Sequence, residues 1–155
     1  MDKAAKALPP GAIADLIDDR GEGTATIYFN PHSLIAARIL ARETGVKIDT
    51  AFFRDRFERA DALRGKLVAG RHYRLIHAEA DGCPGLVIDR FGDVFVAQSG
   101  TAGMDALSAH WIEALKAEFA PRAIIVKSNA PARAYEGLKD DVGVVHGDPA
   151  GAFVE

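Results

Sequence analysis

Two apolar runs that stand only two residues apart constrain this chain most. Residues 86–91 (Leu-Val-Ile-Asp-Arg-Phe) and 94–98 (Val-Phe-Val-Ala-Gln) are rich in β-branched and aromatic side chains, and Gly92-Asp93 is all that joins them. A two-residue connection of this chemistry makes a tight hairpin, so both runs must be antiparallel neighbours in one sheet. Tyr73 to Ala78 reads as a strand on the near side, joined through the turn Asp81-Gly82-Cys83-Pro84-Gly85. On the far side Met104, Leu107, Trp111, Ile112, Leu115 and Phe119 recur at helical spacing, which predicts one amphipathic helix over 104–119, with Pro121 just past its end. Residues 123–127 follow as a buried strand and 142–146 as a shorter one. The order β-β-β-α-β-β predicts an α+β domain, a small mixed sheet with one covering helix.

The first third carries different signals. Residues 12–17 and 24–29 flank a polar Asp/Gly turn and predict a β-hairpin. Asn30-Pro31 turns the chain, and residues 33–41 suit either helix or strand, with strand preferred. Asp49 or Thr50 opens a clear helix with Phe53, Phe57 and Ala60 on one face and Phe52 and Leu63 beside them, and Gly65 is the expected stop. The organisation expected is 1–47 as an incomplete β segment, 48–72 as a basic linker helix, and 73–155 as an α+β domain. Residues 148–155 make a weak end for a domain, as though chain were meant to follow.

Composition excludes several classes. With 48% hydrophobic residues and a net charge of -3, wholesale disorder is excluded. One cysteine rules out a disulfide scaffold, no apolar run nears a membrane span, and residues 1–10 lack the apolar core of a secretory signal. A cytoplasmic setting is expected. Cys83 has acids rather than a histidine near it in sequence, and reads as a small core hydrophobe, not a nucleophile. The five histidines are scattered, with no metal-ligand spacing. The turn 99–103 stands between strand and helix, where phosphates bind, but it lacks the Walker and dinucleotide patterns and is followed by Asp105; it reads as a helix cap. Glu79 and Asp81 read as turn residues before an acid pair.

Charge is distributed unevenly. Between positions 54 and 74 seven basic residues face three acidic ones, a local +4 in a chain of net -3. Of these Arg56, Arg59, Arg64, Lys66, Arg71 and Arg74 are the candidates for contacting RNA phosphates. A solvated helix with internal pairs, such as Asp55 with Arg59, explains the same density equally well.

Taken together, these segments resemble a known family. The run Tyr28-Phe29-Asn30-Pro31-His32-Ser33-Leu34-Ile35-Ala36-Ala37-Arg38-Ile39-Leu40, the helix from Phe52 to Arg64, and the signature Glu79-x-Asp81-Gly82-x-Pro84-Gly85-Leu86-x-x-Asp89-Arg90-x-Gly92-Asp93 are similar to the bacterial PUA-containing, class I S-adenosylmethionine-dependent 23S rRNA cytosine-5 methyltransferases. Arg133 with Glu136-Gly137-Leu138 fits the same pattern. The resemblance implies the end of a PUA domain and a central domain, with the Rossmann-like catalytic domain absent. It implies S-adenosylmethionine for the full-length family but no cofactor, metal or catalytic residue in this chain. The implied partner is large-subunit rRNA, with no membrane, and exposed strand edges invite self-association. The function expected is RNA binding and domain positioning for a methyltransferase. The alternatives are a free-standing RNA- or protein-binding module and, as a third, a small-molecule enzyme on the 99–103 turn.

Overall fold

The computed structural model describes residues 7–150. Two sheets form, three-stranded in the order β1-β2-β3 and five-stranded in the order β4-β5-β6-β7-β8. β1 (Ala12–Ile17) and β2 (Gly23–Phe29) make the expected antiparallel hairpin. Its turn is held by Asp18, whose Oδ1 accepts from the backbone N–H of Arg20 and Glu22. The 33–41 segment divides: only β3 (Ala37–Ala41) is strand, paired with β2, while the residues after Asn30-Pro31 form a loop.

α1 (Thr50–Leu67) starts at Asp49, whose carboxylate accepts from Ala51 and Phe52 N–H. It does not stop at Gly65. The helix runs through that glycine to Leu67, because Arg64 O still finds a donor in Val68 N–H and Gly65 keeps helical backbone. A side chain at Gly65 would meet no atom within 4 Å. Gly65→Ala is therefore expected to stabilise the chain by about 0.5–1 kcal/mol, since glycine loses the most backbone freedom in a helix. A urea titration with an unshifted or lowered midpoint would refute this.

The second sheet holds β4 (His72–His77), β5 (Leu86–Phe91), β6 (Val94–Ser99), β7 (Ala123–Ser128) and β8 (Asp141–Gly147). All neighbours are antiparallel except β6 and β7. That parallel pair needs a crossover, and α2 (Ala102–Ala106) with α3 (Ser108–Phe119) supplies it. The single helix expected over 104–119 is thus broken at Leu107, and the indole N–H of Trp111 donates to the Met104 carbonyl across the break. Trp111 is buried as its spacing required, whereas Phe119 is half-buried and stacks on Phe95 at 5.1 Å.

One core unites most of the molecule. Phe53, Phe57 and Ala60 of α1 join Trp111 and Leu115 of α3 and the inward residues of β4 to β7 in one buried cluster, which also takes Tyr28 from β2. The class is α+β, with α1 sharing the work of covering the sheet. Gly103 shows how close the two sheets' elements come: a Cβ there would lie 2.2 Å from the Tyr28 ring.

Candidate nucleic-acid interface

The two sheets are joined by buried polar groups. The Tyr28 hydroxyl donates to Pro84 O and is also bonded to Thr101 Oγ1, each at 3.0 Å, and burial raises its pKa. The Glu136 carboxylate accepts from Asn30 Nδ2, Ser33 Oγ and the Ala102 N–H. Arg133, one turn earlier, forks onto Asp105 at 3.0 and 2.8 Å and also donates to Ser99 O and Lys139 O. Both residues lie in the 3₁₀ turn Pro131–Glu136. Sequence quoted them within a motif but could not give their partners, which apart from Lys139 come from positions 28 to 106 residues away.

This network also decides the 99–103 turn. Its Thr101 side chain caps Met104 N–H, and Glu136 already accepts from Ala102 N–H. A carboxylate beside the helix start and Asp105 next to it repel an anionic group. The residues there do not fit the carboxylate end of a methyl donor or a phosphate.

The six basic candidates part company. Arg56 is half-buried, donating to Gly82 O at 3.0 Å and Leu40 O at 2.8 Å, with its guanidinium 3.3 Å from the Phe52 ring centroid. Burial lowers its pKa, against the opposing pull of Cys83 and Asp55. Arg56 thereby ties α1 to the open edge of β3. Arg64 forks onto Asp81 at 2.8 and 2.6 Å, and Asp81 accepts in turn from His77 N–H. Arg59 is exposed beside Asp55, at 2.9 Å, the pair that sequence suggested. Lys66 and Arg71 are exposed and have no ion pair among the described residues. Arg74 pairs with Asp89 on the neighbouring strand. Tyr73 beside it bonds to Asp61 of α1, so alternation turns Arg74 to the sheet face away from the helix. Arg56 and Arg59 share one shallow hollow of about 300 Å³ with Leu63 and Gly82; the others do not line it.

Arg38, outside the basic segment, was missed. It reaches Glu79 at 2.6 Å, and its Nε is buried without a partner. Only its place on β3 reveals it. Glu79 and Asp81 both face arginines rather than each other. Among the described residues no cluster of His, Cys, Asp and Glu suits a metal, and no helix is long and apolar enough to cross a membrane.

Cys83 is fully buried, and burial pushes its thiol up to about 12. The folded value lies above the unfolded value of about 8.5, so its contribution to stability is complete below that pH and is lost as pH rises toward the folded value. Ellman's reagent is expected to leave the native thiol untouched at neutral pH and to titrate it fully in denaturant. Rapid native labelling would overturn the core assignment.

Residues 1–42 match a family model described as a PUA-like domain. The fold recurs in a SAM-dependent methyltransferase from Streptococcus mutans, with a TM-score of 0.74 at 14% identity over 90% of this chain and 36% of that one. It recurs also in a methyltransferase complexed with SAH, at TM-score 0.76 and 15% identity, over 92% of this chain and 36% of that one.

The sequence relatives are more particular. Ribosomal RNA large subunit methyltransferase I of Aliivibrio fischeri (strain ES114) is 38% identical over 141 residues, 89% of this chain and 36% of that protein. The protein of the same name from Vibrio cholerae (El Tor Inaba N16961) is 37% identical over 141 residues, again 89% of this chain and 35% of that protein. The chain is homologous to a portion of these methyltransferases and spans little more than a third of their length.

Proposed function

We propose that this chain is the RNA-holding and domain-positioning portion of a cytosine-5 methyltransferase acting on large-subunit rRNA. The observation that carries the reading is the 38% identity over 141 residues to ribosomal RNA large subunit methyltransferase I. Methyl transfer, and the S-adenosylmethionine it consumes, is assigned to the part of those relatives that this chain does not match. The proposed domains are 1–47, 48–72 and 73–155, and an rRNA partner implies a cytoplasmic setting.

Geometry sorts the proposed RNA contacts by which cations face water. Lys66 and Arg71, without an ion pair among the described residues, and Arg59, exposed beside Asp55, point charge into solvent from the middle of α1 to just past its end, while Arg74, paired with Asp89, lies on the other sheet face. Arg56 and Arg64 are proposed to act by holding α1 against β3 and the 78–84 turn. Binding by so few cations is expected to be weak and salt-sensitive, with Kd on the order of 10⁻⁴–10⁻⁶ M.

The test is binding to a structured large-subunit rRNA fragment at two salt concentrations. Replacing Arg59, Lys66 and Arg71 together with Ala is expected to weaken binding and flatten the salt slope by about 2–3. Replacing Asp140 and Asp141 with Ser should not weaken it. A triple variant that binds like the parent would sink the assignment.

A further inference from the structure

The surface where the two sheets meet carries a second feature that the basic segment does not explain. Tyr135 is 79% exposed, although it sits between Arg133 and Glu136, whose side chains are both buried. Those two neighbours are locked by hydrogen bonds to β6, α2 and the Asn30–Ser33 loop. The ring is therefore held out into water on a rigid mount. Leu34, 101% exposed, and Ile35, 55% exposed, stand across from it. Together with Arg38 and Gly100 these side chains line a hollow of about 210 Å³. Arg38 also lines this hollow, with Nη1 on Glu79 at 2.6 Å and its Nε buried without an acceptor. A second hollow meets the first at Gly100 and carries Lys127, which is exposed and without an ion pair among the described residues.

We infer that this hollow is a binding site for an unpaired RNA nucleotide, its base stacked between the Tyr135 ring and the Leu34–Ile35 side chains. The inference rests on the proposed RNA-holding role and names where single-stranded RNA is read. An aromatic face opposite aliphatic groups accepts any base, and unpaired bases are what proteins stack in this way. The sugar-phosphate beside the base runs toward Lys127, which holds no ion pair among the described residues, whereas the charge of Arg38 is shared with Glu79. An unpaired cation beside an aromatic face favours a polyanion over an apolar protein surface as the occupant. Pre-organisation strengthens the site, since the 3₁₀ turn carrying Tyr135 needs no ordering when RNA arrives.

The experiment uses the full chain and a labelled, unstructured RNA of roughly 12 nucleotides, read by anisotropy beside the same strand annealed to its complement. The single strand is expected to bind more tightly than the duplex. Tyr135→Ala should weaken single-strand binding about tenfold without changing the salt slope, because stacking releases no counterions. Tyr135→Phe and Tyr135→Trp should keep binding within about twofold, since both retain a π-face. The side chain donates no hydrogen bond among the described residues, so all three variants should melt like the parent. If Tyr135→Ala binds like the parent while loss of Arg59, Lys66 and Arg71 weakens binding, the stacking site is wrong and the RNA reading stands. If the parent binds neither RNA, both fail. If Tyr135→Ala instead turns a dimer into a monomer by sedimentation, the hollow is a protein contact and the proposal is overturned.

Discussion

Trp111→Ala is expected to destabilise the chain by about 3–5 kcal/mol, the range for a large buried aromatic cut to alanine. Trp111 is 1% exposed and packs where α3, α1 and the second sheet meet. Two losses add. The ring leaves a cavity that close-packed neighbours on three elements cannot fill. The Met104 carbonyl, at the break between α2 and α3, loses the indole N–H that satisfies it at 2.9 Å. Trp111→Phe separates them, because it keeps most of the packing and removes the donor, and it should cost about 1–3 kcal/mol. Urea titration reads both variants. A loss below about 1 kcal/mol for Trp111→Ala would mean that this helix face does not carry the core.

Arg133→Ala should be comparably damaging, about 3–5 kcal/mol, because it leaves partners of a buried charge behind. The guanidinium is 2% exposed and satisfies Asp105, Ser99 O and Lys139 O at once. Asp105 keeps some water, its side chain being 28% exposed, so Asp105→Asn is expected to cost clearly less than Arg133→Ala. Arg133→Lys should not rescue, since an ammonium cannot fork onto a carboxylate and still reach two carbonyls. A lysine variant with parental stability would show that charge alone, and not the planar fork, holds the 3₁₀ turn in place. Loss of this turn would also release Tyr135 from its mount, so Arg133→Lys should weaken RNA binding at the inferred stacking site as well.

The strands and the main helices were legible wherever local chemistry decided them. Gly92-Asp93 between two β-branched runs has one low-energy solution, and so does Asp49 ahead of the Phe53–Phe57–Ala60 stripe. Gly65 misled because a glycine ends a helix only when its backbone turns left-handed, and here the last turn keeps its hydrogen bonds to Val68. Leu107 hid a break because both halves keep their apolar residues on one face, so the spacing looked continuous. Among the basic residues, sequence gave the density but not the direction.

What the sequence determined by itself was most of the strands, the start of α1, the hairpin neighbours β1–β2 and β5–β6, and the burial of Trp111 and Cys83, because each follows from turn chemistry, apolar periodicity or side-chain type within a short window. Only the tertiary structure decided which cations face water. Arg56 is satisfied by carbonyls at Leu40 and Gly82, and Arg64 by Asp81, all at least 16 residues away. A charge count along the chain sums ionised groups wherever they point. Whether a guanidinium is left for a partner depends on the acceptors that folding brings to it, and an acceptor that is remote in sequence leaves no mark beside the arginine it will hold.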